Sequence, residues 1–205
     1  MFAFLLSVAL ISLSGVMIPG PNFAVAVAKS YKSPFAGAKV ALGHGLVEVP
    51  LILLIYFGLV NFFKDEVVQI ALSFLGGGML IFIGLSLFRR VSSADEGACD
   101  LPYGSVAAGA VTSAFNPMFF LWWATIGSML VMKSLSFGII GFSLFIPVHL
   151  SCDFLWLSFV SLLVYRTKSL WGEKLKAWLL MSSGVLLLGF GVWFLISGVR
   201  LILEA

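Results

Sequence analysis

Residues 37–62 read GAKVALGHGLVEVPLILLIYFGLVNF. This block exceeds the roughly 20 apolar residues that carry an α-helix across a bilayer. Inside it nevertheless lie His44 and Glu48, an imidazole and a carboxylate four residues apart and so on one helical face. Five more apolar blocks lie on either side of it, with approximate limits 2–20, 67–88, 104–132, 136–165 and 177–201. The whole chain of 205 residues is 61% hydrophobic and 10% charged, with a mean hydropathy of +1.13. A soluble domain carries about 25% charged residues, so these few charges cannot cover a water-exposed surface. The expected fold is an all-α integral membrane protein of six transmembrane helices.

Hydropathy and charge also give the bundle an orientation. Nine of the 12 Lys and Arg fall in the first, third and fifth links, and Lys64, Lys133 and Arg200 lie on the opposite side. Basic residues stay on the cytoplasmic side, which predicts a multi-pass inner (cytoplasmic) membrane protein with both termini outside. The first block has no basic segment before it, and Pro19-Gly20-Pro21 follows it, so it reads as a retained span. An Ala-Val-Ala stretch before Lys29 keeps the alternative of a cleaved signal open. The net charge of +3 is not gathered into a basic patch, so no nucleic-acid partner is expected. Cys99 and Cys152 form neither a disulfide framework nor a zinc motif.

The chain repeats itself. Span two carries His44 and Glu48; span five carries His149 and Asp153, offset by 105 at both positions. Span three has Gly77 and Gly84, and span six has Gly184 and Gly191, again seven apart. Spans one and four each meet a proline beside an asparagine, in Pro19-Gly20-Pro21-Asn22 and Asn116-Pro117. This order predicts two three-helix repeats, 1–91 and 104–205, joined by a cytoplasmic linker at 92–103. An odd number of spans per half inverts the second repeat, a plan common in secondary transporters. The glycines equally suit close helix packing.

Seven of the nine carboxylates sit in links or at the end; Glu48 and Asp153 lie mid-span. A charge there costs roughly 2.5–3.5 kcal/mol on insertion scales, so it needs a partner or a wet cavity. His44, Glu48, His149 and Asp153 are therefore candidate proton-coupling residues that face each other between the halves. Proline frees carbonyls and breaks helices, and irregular backbone at membrane depth lies against protein or water. Pro19, Gly20, Pro21, Asn22, Asn116 and Pro117 are thus candidate substrate-binding positions, against the alternative of simple kinks. The tryptophans read as interfacial anchors, with Trp156, three residues beyond Asp153, near the same site.

Pro-Gly-Pro-Asn at 19–22, Gly37 and Gly43 around the start of span two, and the Gly77/Gly84 region resemble the N-terminal signature of the LysE/RhtB family of amino-acid exporters. Asn116-Pro117 resembles that family's second signature, and the likeness runs over nearly the whole chain. It implies export of amino acids or related metabolites, driven by the proton motive force. One departure stands out: where the family's second signature reads Asn-Pro-Lys, position 118 is Met. The His-and-acid pairs lie outside the general signature.

Three functions remain in competition. The first is a proton-coupled exporter of a small polar metabolite, with the bilayer and a small-molecule substrate as partners, and a homo-oligomer left open. The second is a divalent-cation exporter using His44, Glu48, His149 and Asp153 as metal ligands. The third is a non-transporting membrane scaffold whose buried polar pairs serve packing alone. No Walker motif, Ser-His-Asp set or glycine-rich nucleotide loop occurs, so no enzyme and no cofactor is expected.

Overall fold

The computed structural model describes residues 1–58, 62, 65–92, 104–170 and 173–204. All regular structure among them is helical: α1 (Phe2–Val16), α2 (Pro21–Ser30), α3 (Ala36–Tyr56), α4 (Glu66–Ser92), α5 (Ser105–Ala114), α6 (Pro117–Trp122), α7 (Ser128–Leu135), α8 (Gly138–Thr167) and α9 (Glu173–Glu204). A π-helical turn, Trp123–Gly127, joins α6 to α7 without a break. Five helices or helix runs are long and apolar enough to cross a membrane, and six if α1 and α2 count as one span bent by 72°. Nearly all of the linker expected at 92–103, with Cys99, lies outside the described residues.

The expected spans need adjustment at their edges. The chain turns out of α3 at Gly58, whose φ of +88° suits only glycine, six residues after Ile52 and short of the expected limit at 62. A second positive φ, +70° at Gly138, makes the tight connection from α7 to α8. Span four is split at Phe115–Asn116, between α5 and α6.

The larger difference lies after the Pro-Gly-Pro break. Residues 21–30 were expected in a cytoplasmic link, yet they form α2, with Gly20 as N-cap and Pro21 at its first position. Every residue from Ala24 to Ser30 is buried, Lys29 included at 4% exposure. The small side chains Ala24, Ala26 and Ala28 let α2 pack among α3, α5, α8 and α9. Ten residues with two valines and a lysine do not stand out as a span, which is why hydropathy missed the helix.

The bundle is held by close backbone approaches. A Cβ on Gly43 would stand 1.9 Å from the Val106 carbonyl oxygen, and one on Gly109 would stand 2.1 Å from that of Val40. These two glycines bring α3 and α5 into backbone contact. Gly77 and Gly191 face each other's carbonyls across α4 and α9, at 2.8 and 2.9 Å from the added Cβ atoms, and Gly84 meets that of Gly184 at 3.1 Å. The repeated glycines are therefore crossing points, as small residues are in membrane helices. Large apolar side chains point the other way: Leu46 (66% exposed), Ile139 (63%) and Leu155 (64%) face outward, as a lipid-facing surface requires.

Gly43→Ala is expected to lower the thermal midpoint in detergent, because its Cβ meets backbone and overpacking costs about 1–3 kcal/mol. Gly78→Ala, with no atom within 4 Å of its Cβ, is expected to hold or raise it. Equal midpoints for the two variants would contradict the α3–α5 contact.

Candidate functional site

Five helices and the π turn deliver polar groups to one cluster. His44 and Glu48 lie one turn apart on α3, and His44 Nε2 is 3.2 Å from Glu48 Oε1. The same oxygen is 3.2 Å from His149 Nε2 on α8. It also accepts a hydrogen bond of 3.2 Å from Trp123 Nε1–H at the start of the π turn. His149 thus reaches Glu48 in the other half of the chain, not the acid on its own helix. Asp153 completes the cluster, with Oδ1 at 3.8 Å from His44 Nε2. Glu48 is 2% exposed, His149 4% and His44 7%, so water does little to stabilise the carboxylate and the three N–H groups must.

The outer nitrogens of both rings are also engaged. His149 Nδ1 lies 2.6 Å from Ser12 Oγ on α1. His44 Nδ1 lies 2.7 Å from Ser113 Oγ on α5 and 3.1 Å from the Asn22 amide nitrogen on α2. Asn22 donates to Ser113 Oγ at 3.0 Å and accepts from the Thr112 hydroxyl. The His149 ring stacks between Trp122 (5.5 Å between centroids) and Phe145 (5.8 Å), with Trp123 edge-on at 5.1 Å.

The hydrogen count at Ser113 gives this network a chemical property. Its hydroxyl has one hydrogen and two acceptors in reach, the Gly109 carbonyl and His44 Nδ1, both at 2.7 Å. Donating to Nδ1, it leaves a neutral imidazole whose Nε2–H points at Glu48. Donating to Gly109, it needs a hydrogen on Nδ1. The Nε2–Glu48 contact then needs a second proton, on the ring or on the carboxyl. One hydroxyl rotation therefore accompanies the gain or loss of one proton.

The cluster opens on a cavity of about 750 Å³. All four residues of the predicted proton-coupling set line it, and so do Pro19, Gly20, Pro21, Asn22 and Asn116. Pro117 does not: it is buried at the first position of α6, where its ring packs near Gly76 of α4. Asn116 caps α6, its Oδ1 accepting the Met118 N–H at 3.0 Å. Three tryptophans depart from their expected role as anchors. Trp122, Trp123 and Trp193 line the cavity, while Trp156 packs against Val27 and Val160 away from it.

The partners of the two rings escaped sequence reasoning. Ser12, Thr112, Ser113 and Trp123 look ordinary in apolar helices. Their only signal is position: Thr112 and Ser113 come just before Asn116-Pro117, and Ser12 lies about two turns before Pro19.

Two broken spans around a buried polar cluster match the resemblance seen in the sequence, and a model of the LysE type translocator family aligns with residues 13–198. The chain belongs to the LysE type translocator family. Nearly all of the site lies within that match; Ser12, one residue before it, is the exception. No curated protein and no solved structure matches the chain. A LysE type translocator is a membrane transporter, and the apolar exterior and central cavity of this chain suit that role.

Glu48→Gln is expected to destabilise the protein in detergent by about 1–3 kcal/mol, because an amide oxygen is a weaker acceptor for three buried N–H donors. Thermal unfolding checks it. A raised midpoint would instead match a cluster that only strains the bundle.

Proposed function

We propose that this translocator is a secondary exporter of amino acids or related small polar metabolites, coupled to the proton gradient through His44, Glu48, His149 and Asp153. One observation carries the reading: the mid-span ionisable residues of both halves meet at one cavity, beside the break at 19–22. Breaks at Pro19–Pro21 and Asn116 expose backbone donors and acceptors for the polar groups of the cargo, and the Ser113–His44–Glu48 chain handles the proton. The helix pairing supports two inverted repeats. α4 pairs with α9 and α3 with α8, and the α3–α5 contact has its counterpart in α8–α1. Links one, three and five face the cytoplasm on this reading, and eight basic residues still mark that side once buried Lys29 is set aside. The protein would sit in the cytoplasmic membrane with both termini outside.

Proteoliposomes loaded with an amino-acid panel should show efflux of at least one substrate when a pH gradient is imposed. Asp153→Asn and Glu48→Gln, confirmed as folded by size exclusion, should uncouple efflux from the gradient. Gradient-driven flux unchanged in both variants would remove these residues from coupling.

A second reading, cation export, is favoured by one feature: donor atoms of His44, Glu48 and Asp153 lie within 4.8 Å of one another. His149 stands outside that trio, so the four-ligand site expected from sequence reduces to three ligands. Calorimetry with zinc or manganese should then show binding that His44→Ala abolishes and His149→Ala only weakens. Equal heats for wild type and His44→Ala would dismiss the cation.

A further inference from the structure

Resting on the export reading, we infer that the cargo is an α-amino acid with an aromatic side chain. Its ammonium sits at Asp153, its carboxylate at the indole N–H of Trp122, and its ring on α9. The charges on the wall come first. Among the described residues lining the cavity, two histidines stand against two acids, a balance that admits a zwitterion. Three of the four close on one another, with both imidazoles at 3.2 Å from Glu48. Asp153 stands at the edge of the cluster. Its histidine contact of 3.8 Å is too long for a hydrogen bond, and 14% of its side chain is accessible. A carboxylate so loosely held suits an ammonium, which brings several donors and a full charge.

The wall also offers a donor for the carboxylate. The Trp123 N–H is taken by Glu48, and the hydroxyls of Ser14 and Thr125 donate to carbonyls of their own helices. Trp122 differs. Its ring stacks on His149 at 5.5 Å between centroids, and its Nε1–H finds no acceptor among the described residues. The space beside that N–H belongs to Gly15, where a Cβ would lie 3.6 Å from Nε1. Both residues line the cavity, so the missing side chain leaves the donor open to an occupant. An indole N–H at membrane depth has no bulk water to turn to and calls for an acceptor. The spacing suits one small molecule. Trp122 lies against His149, and Asp153 follows His149 by four residues of α8, about 6 Å of rise. The ammonium and carboxylate of an α-amino acid share one carbon, and with a hydrogen bond of about 2.8 Å at each end they span that gap.

The side chain of the cargo follows from α9. Phe190, Trp193 and Phe194 form one packed aromatic group, with centroids 5.7 to 6.2 Å apart, and all three line the cavity. Trp193 lies well inside the span Met181–Glu204, where no interface calls for an anchor. A ring laid on this group gains offset or edge-to-face contact beyond the area that it buries. The cavity volume of about 750 Å³ has room for that ring. Cargo the size of alanine or serine would leave the α9 rings uncovered.

Calorimetry on the intact protein in detergent tests this with a matched set of ligands. Phenylalanine, phenethylamine and 3-phenylpropionate share one ring and differ in ammonium and carboxylate, while alanine keeps both charges without the ring. Phenylalanine should bind most tightly, and each of the others about tenfold or more weakly, the size of one charge-assisted hydrogen bond or one buried ring. Trp122→Phe keeps a ring on His149 and deletes the N–H; Gly15→Ala covers the N–H with a methyl group in ordinary contact. Each should weaken phenylalanine about tenfold, and phenethylamine, which has no carboxylate, less than about twofold. Asp153→Asn should weaken phenylalanine and phenethylamine alike. Alanine binding as tightly as phenylalanine, no binding of phenylalanine, or equal losses for phenylalanine and phenethylamine in Trp122→Phe overturns the inference. Binding is read without flux. Phenylalanine that binds in this pattern but never crosses proteoliposomes therefore counts against the export reading, and efflux of alanine but not phenylalanine counts against this one alone.

Discussion

Glu48 is the constraint on which the rest of the structure depends. A carboxylate in the middle of a membrane helix costs several kcal/mol unless it is neutralised or hydrogen-bonded. Here one oxygen gathers donors from α3, α8 and the π turn. Meeting that requirement fixes where α8 crosses α3 and which way Trp123 faces. It draws His149 across from the second half, and His149 in turn holds Ser12 and so the path of α1. The glycines then allow the approach: without Gly43 and Gly109, α5 could not come close enough for Ser113 to reach His44.

The apolar spans were legible because their composition leaves no other environment for them. The polar cluster was legible because only two acids and the two histidines lie mid-span, at matching offsets. The Asn-Pro break was legible because proline has no N–H to donate. What stayed hidden depends on neighbours in space. α2 is short and modestly apolar, and only the four helices around it make it a buried element. The exchange of partners, with His149 turning to Glu48, follows from the crossing of α3 and α8, which no spacing along either helix encodes. Pro117 has the residue type of a site element but serves as the first residue of α6, away from the cavity.

The aromatic residues show the same division. Tryptophan in a membrane chain belongs by default at the interface, and Trp178, 69% exposed, has a position open to it. Trp122 and Trp123 sit where α6 passes into the π turn, and that change points one ring at His149 and the N–H of the other at Glu48. A π turn adds a residue to the helical circuit and commonly marks a functional position. Gly127 makes room for it: a Cβ there would lie 2.3 Å from the Trp123 ring.

Asn22 deserves a mechanical reading as well as a chemical one. It sits at the start of α2, just past the bend, and its amide is tied to His44, Ser113 and Thr112 at once. Any change in the angle between α1 and α2 must carry that amide with it and disturb the hydrogen bonding of His44. Coupling of this kind runs equally in both directions. A proton placed on the ring therefore acts as a lever on the backbone, and a bend of the backbone acts as a lever on the proton, through one primary amide.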